Sequence, residues 1–228
     1  MNSSPMALQD GHRRDLDGSV RLLGRILGLA GLLAATACGS DGQVKAGTGT
    51  VAQDEVDGTV HVCASCHGLD GRSISPTFPR LAGQQAVYLE TQLKAFRDKT
   101  RADPHAHTYM WGMAAHLSDP LIQALAAYFA AEPPAPGTPA DPTEMAAGRK
   151  IFEEGIPDRE VPPCQTCHGE HAEGQDSFPR LAGQHRDYLA AQLENFASNA
   201  RENEIMHENS KHLSAGEIRD VTAYLAAQ

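Results

Sequence analysis

The chain has 228 residues, with 19 Lys and Arg against 29 Asp and Glu and a formal charge of −10. That balance excludes a nucleic-acid binder that works through a basic face. Aromatic side chains make up only 5%, and a chain so poor in large apolar groups has difficulty filling two separate cores by itself. A buried cofactor is the first candidate for the missing apolar surface.

In chain order, residues 1–37 read as an export signal. Arg13, Arg14, Arg21 and Arg25 precede an apolar run from Ile26 to Ala37 that ends in small residues. This is the order of a secretory signal, and the run is too short to remain as a membrane span. Ala35-Thr36-Ala37-Cys38 loosely resembles a lipoprotein processing site. Two outcomes follow: Cys38 carries a lipid that tethers the mature chain, or ordinary cleavage occurs nearby. Residues 38–54 form a flexible lead-in to a first domain at 55–131.

Two pentapeptides carry the chemistry, Cys63-Ala64-Ser65-Cys66-His67 and Cys164-Gln165-Thr166-Cys167-His168. C-x-x-C-H is the attachment signature of c-type haem. Two thiols at this spacing add to the two vinyl groups of one haem, and the next residue lies beneath the ring with a nitrogen for iron. Other uses of paired cysteines fit less well. A zinc ribbon sets its pairs 15–20 residues apart, whereas 97 residues separate Cys66 from Cys164. A thioredoxin-type pair needs a βαβ setting, and none is visible. Structural disulfides suit an exported chain but leave the His after each pair unexplained. The expectation is two covalently bound haem c groups.

An internal repeat organises the rest. Phe78-Pro79-Arg80-Leu81-Ala82-Gly83-Gln84 recurs unchanged at 178–184, followed by matching Tyr88/Tyr188, Gln92/Gln192 and Phe96/Phe196. Leu89, Leu93 and Phe96 form a helical stripe, as do Leu189, Leu193 and Phe196. The match then skips four residues and resumes with His116-Leu117-Ser118 against His212-Leu213-Ser214. Terminal helices follow, with Ile122, Leu125 and Phe129 in one and Ile218, Val221 and Leu225 in the other. Ser214 and Glu217 form a capping box. Residues 132–142, rich in proline, read as a stiff extended linker. A second domain occupies 143–228, opening with a helix from Thr143 to Glu154. No stretch alternates as a strand, so the predicted fold is all-α, with two tandem domains.

His67 and His168 are the proximal iron ligands by position. For the opposite side, Met110 and Met206 stand seven residues before Leu117 and Leu213, in the same register of the repeat. Methionine is more often core filler, but these two lie in polar loops. His105, His107, His116, His207 and His212 are the rivals, and Asn209 stands opposite Met113. His–Met ligation raises the potential relative to two imidazoles. It also fills both axial positions, which favours electron transfer over catalysis.

The two C-x-x-C-H units, the repeated Phe-Pro-Arg-Leu-Ala-Gly-Gln and the Met seven residues before Leu-Ser resemble the dihaem cytochromes c4, over about residues 55–228. The resemblance implies two cytochrome c-type domains about a pseudo-twofold axis and a periplasmic electron carrier serving respiratory complexes. It further implies that Pro79 and Pro179 offer carbonyls to His67 and His168. Arg80 and Arg180 either pair with haem propionates or are simple surface charges.

The chain departs from the pattern in a short, apolar-poor helix before Cys63, in an insertion at Ile156–Pro163 and in a His-rich loop carrying Trp111. Residues 39–131 hold 7 basic and 9 acidic side chains, and 132–228 hold 8 and 17. Such a dipole orients redox partners. The expectation is that the first domain meets acidic or neutral partners and the second a basic one.

The leading function is a single-electron shuttle between redox proteins, namely a respiratory complex, a terminal oxidase or a dehydrogenase. It is periplasmic, with the membrane met only through a lipid on Cys38. The alternative is the cytochrome subunit of an oxidoreductase such as a sulfide or sulfite dehydrogenase. A haem peroxidase ranks third because it needs an open iron. Nothing resembles a hydrolytic or nucleotide site.

Overall fold

The computed structural model describes residues 51–228. The signal segment, Cys38 and most of the 38–54 lead-in lie outside the described residues. Among those described, the protein is all-α, as the periodicities predict, with no strand beyond the isolated bridges Ile156–Val161 and Gln175–Phe178.

The first half opens with α1 (Gln53–His67), which buries Val56 and Val60 one turn apart and then continues into the first C-x-x-C-H. Helix α2 (Ala86–Arg97) follows a loop and buries Leu89 and Phe96. A π-helical turn at Ala106–Met110 leads into the short α3 (Trp111–Ala114). Such turns widen a helix by one residue. Here the turn takes up the first half's extra length, since six residues separate Asp103 from Met110 and only two separate Asn203 from Met206. Helix α4 (Asp119–Ala131) starts where the Ser118 side chain accepts from the Leu121 N–H, with Pro120 in its first turn. It packs Leu121, Leu125 and Phe129 against Val56, Val60 and Leu89.

The second half opens with α5 (Pro142–Glu154), capped by Asp141, whose carboxylate accepts from the Thr143 and Glu144 N–H groups. The insertion interrupts the helical path. Ile156 and Val161 exchange backbone hydrogen bonds at 2.7 and 3.2 Å around a 3-10 turn at Pro157–Arg159. The one-turn α6 (Gln165–His168) then carries the second motif. Helices α7 (Arg186–Ala197), α8 (Glu204–Ser210) and α9 (Ala215–Ala226) complete the half, and α9 bears the expected capping box of Ser214 and Glu217. Phe152, Leu189, Val221, Tyr224 and Leu225 form its core.

Between α4 and α5 the chain has no regular element. It is tied down at both ends, because Pro133 and Pro136 accept from the Arg72 and Arg80 side chains and Thr138 N–H donates to Ala226 O. The repeated heptapeptides meet across the seam between halves. Gln84 Nε2 donates to Arg180 O at 2.9 Å while Gln84 Oε1 accepts from Arg180 N–H at 2.7 Å. Gln184 makes the same pair with Arg80 at 2.9 and 2.8 Å. Each glutamine satisfies the backbone of the opposite half, a reciprocal clasp that buried polar groups require. No helix among the described residues is long and apolar enough to cross a membrane.

Candidate haem-binding site

Both motifs end alike. Gly68 (φ 81°) and Gly169 (φ 85°) follow His67 and His168 directly, and glycine adopts that backbone without a Cβ penalty. The helix therefore stops just after the histidine. His67 Nδ1–H donates to Pro79 O at 2.8 Å, and His168 Nδ1–H donates to Pro179 O at 3.0 Å. This bond fixes the tautomer and leaves Nε2 of each imidazole as the acceptor nitrogen, the arrangement that metal-bound histidines use. Burial lowers the pKa of both histidines, with the proline carbonyl opposing in part. Phe78 and Phe178 stand edge-on to the two rings, with centroids at 6.1 and 6.3 Å.

None of the four motif cysteines is in a disulfide. Burial pushes the Cys63 thiol up and raises Cys164 to about 11.

A continuous cavity of about 1000 Å³ runs beside both motifs. Its walls include Leu89, Leu93 and Phe96 from one stripe and Leu189, Leu193 and Phe196 from the other. The stripes thus line a shared cavity, while Leu89 and Leu189 also pack into the cores of their halves. The four cysteines, His67, His168, Met110 and Met206 all line it, as do Pro79, Pro179, Arg80 and Arg180. Of the rival histidines only His105 reaches this wall; His116 and His212 are exposed, and His207 Nδ1–H donates to Phe196 O at 2.8 Å.

The residues fit a haem in each half. Two thiols, an imidazole with a free Nε2 and apolar walls meet in one cavity, and Arg180 Nε is buried there without a partner. An orphaned cationic donor at an apolar cavity suits an acidic group such as a haem propionate. Arg80 behaves differently, donating to Gly183 O and Pro136 O across the seam and to Ser73 O at 3.5 Å.

Several residues here have no role assigned from the sequence. Met113 lines the cavity yet is more than half exposed. Tyr88, Gln92 and Arg101, with Tyr188, Gln192 and Arg201, form a buried hydrogen-bonded seam. Their recurrence at a spacing of 100 was the available signal.

The Cytochrome c family model matches residues 59–131 and again 145–228, so the chain belongs to the cytochrome c family, with two such domains. Within it the chain belongs with the dihaem cytochromes c4. It is 34% identical over 210 residues to cytochrome c4 of Azotobacter vinelandii, covering 87% of this chain and 93% of that one. The solved cytochrome c4 of Acidithiobacillus ferrooxidans superposes with a TM-score of 0.70 at 40% identity, over 73% of this chain and 98% of the other. A thiosulfate dehydrogenase electron acceptor of Stutzerimonas stutzeri is 38% identical over 172 residues, covering 72% and 77%. The protein carries two covalently bound haem c groups and is an electron carrier rather than an enzyme.

Proposed function

We propose that the protein moves single electrons through two His/Met-ligated haems, with His67 and Met110 the axial ligands of the first and His168 and Met206 those of the second. One observation carries the reading: in each half an imidazole is clamped by a proline carbonyl and shares a cavity with one methionine in matching register. When bound, haem supplies reversible one-electron chemistry. The chain's own residues supply the rest. Cys63, Cys66, Cys164 and Cys167 hold the groups covalently, Pro79 and Pro179 orient the imidazoles, and the apolar stripes exclude water. Arg180 is placed for a propionate, whereas Arg80 is engaged chiefly by carbonyls of the seam. Neutral thioethers favour the reduced iron and so raise both potentials.

The domain limits that match this reading are 55–131 and 143–228, joined by 132–142, after an N-terminal signal at 1–37. The working place is the periplasm, free or tethered through Cys38, and the partners are redox proteins. Charge asymmetry between the halves supports docking of a basic partner on the second half, which predicts partner reduction rates that fall with added salt.

The test is a potentiometric titration of the holoprotein with full optical spectra. Two one-electron waves at positive potentials, both low-spin with His–Met spectra, are expected; a high-spin component or a strongly negative wave would remove a methionine from the assignment. A second reading, the dedicated electron acceptor of a dehydrogenase, is favoured by the thiosulfate dehydrogenase acceptor relative. Stable co-purification with a catalytic subunit selects that reading over a mobile shuttle.

A further inference from the structure

The two methionine-bearing loops differ in length and in helix type, yet each is pinned at the residue that directly follows its methionine. Trp111 Nε1–H donates to Arg101 O at 2.8 Å. His207 Nδ1–H donates to Phe196 O at 2.8 Å. Neither side chain has a place in the function drawn above. His207, a rival ligand by sequence, does not line the cavity, and its Nδ1 is committed to the protein backbone.

Both anchors are fixed. Arg101 is buried, with its guanidinium held by Asp103, Gln92 and Gln192, and Phe196 is buried in α7. The indole packs, with Met110 and Leu117, against Phe96, Ala106 and Ala114. His107 stands edge-on to it, with ring centroids 4.7 Å apart. In the second half two more side chains hold the backbone of Met206 itself. Asn203 Oδ1 accepts from its N–H at 2.9 Å, and the buried Ser210 hydroxyl donates to its carbonyl.

We propose that Trp111 and His207 are positioning residues that hold Met110 and Met206 against iron by resisting the opening of their loops. This rests on the reading of one His/Met-ligated haem in each half. A thioether is a neutral, weak donor, so the time it spends on iron depends strongly on the loop that presents it. A loop already held in its bound conformation loses less freedom on binding than a slack one. A partner that orients a ligand in this way tunes the metal it binds. Each anchored residue is the direct chain neighbour of its thioether, so the loop cannot swing away without breaking the tether.

Packing alone gives a different expectation. A ring that only filled space could be exchanged for another ring with little consequence for the iron, whereas a tether depends on its N–H. Loss of one neutral hydrogen bond shifts an equilibrium by about three- to tenfold. That is the size of effect expected on release of the thioether, and it should fall on one iron at a time because the two tethers lie in separate loops.

The test follows displacement of the thioethers by saturating imidazole in the oxidised full-length holoprotein, where loop opening limits the rate. Two phases are expected, and Met110→Leu, which leaves only the second, assigns them. Trp111→Phe keeps a ring but not the donor and speeds the first phase about three- to tenfold. His207→Leu does the same to the second. His207→Asn, whose amide N–H can stand in for Nδ1–H, restores the unsubstituted rate. His107→Ala removes the ring beside Trp111 but no tether, and leaves both phases unchanged. An unchanged target phase in Trp111→Phe or His207→Leu overturns the proposal, as does equal acceleration of both phases by either variant. So does a His207→Asn protein that stays fast, or a His107→Ala protein as fast as Trp111→Phe. Should His207→Leu fail to incorporate haem, Trp111→Phe decides alone. Absence of the thioether–iron charge-transfer band in the unsubstituted protein breaks the ligation reading instead, and so separates the two failures.

Discussion

In the first half the opening helix runs unbroken from Gln53 into the C-x-x-C-H turn and meets α4 through Val56 and Val60. In the second half α5 stops at Glu154, the chain folds back through the Ile156–Val161 bridge, and a separate single turn delivers the motif. Yet the two histidines end in the same setting, each followed by a positive-φ glycine and clamped by a proline carbonyl. A haem site of this kind depends on the local turn and the clamp, and the helix that feeds it is free to vary. The loops that carry the methionines vary in the same way: a π-helical turn and α3 in one half serve where α8 alone serves in the other.

The sharpest way to break that comparison is to remove one attachment site. Cys63→Ser with Cys66→Ser should take covalent haem content from two to one per chain, read by intact mass and by the haem spectrum in alkaline pyridine. Cys164→Ser with Cys167→Ser should do the same from the other side. Unchanged haem content in either variant would contradict covalent attachment at that pair. Next in size are the methionines. Met110→Leu and Met206→Leu should each abolish about half of the thioether–iron charge-transfer absorption and lower one potential, while Met113→Leu leaves the band intact. Loss of about half of the band in Met113→Leu would transfer the first ligand role to that residue.

The seam comes third. Gln84→Ala strips partners from the Arg180 N–H and C=O, and each buried group left unpaired costs about 1–3 kcal/mol. Gln184→Ala should cost a similar amount at Arg80, and the double variant less than the sum, since both changes open one seam. Urea unfolding of the holoprotein checks the values; strict additivity would mean that the two clasps act independently.

The helices with full apolar stripes were readable from sequence because each stripe packs on a face of fixed period, and the Ser214–Glu217 capping box was readable because it is local. The opening of the first half was not. Only Val56 and Val60 mark the buried face of α1, too few to distinguish a 15-residue helix from a short lead-in. The cofactor and its attachment residues were legible because C-x-x-C-H is a contiguous chemical requirement. The seam was visible only as repetition: Gln84 and Gln184 recur, but their partners lie 96 and 104 residues away, and no local pattern encodes such a pairing. Arg80 and Arg180 illustrate the same limit. They are identical in sequence context, yet one is engaged by carbonyls across the seam and the other has an orphaned Nε in the cavity wall.

The smallest effects lie where the two opening helices differ, at Gly58 and Gly148. A Cβ at Gly148 would overlap the Asp220 carbonyl oxygen and come within 2.9 Å of Tyr224 Cβ, because α5 and α9 approach closely there. Gly148→Ala should therefore destabilise by about 1–3 kcal/mol, the usual range for overpacking, and push the helices apart over the Phe152–Tyr224 contact, whose centroids are 5.5 Å apart. At Gly58 nothing lies within 4 Å of the added carbon, and the site is inside a helix. Gly58→Ala should stabilise by about 0.4–1 kcal/mol, because alanine restricts the unfolded chain and suits a helix interior. The two substitutions are chemically identical and opposite in sign. A destabilised Gly58→Ala protein in urea unfolding would mean that α1 is gripped as closely as α5, and the contrast between the halves would lose its packing basis.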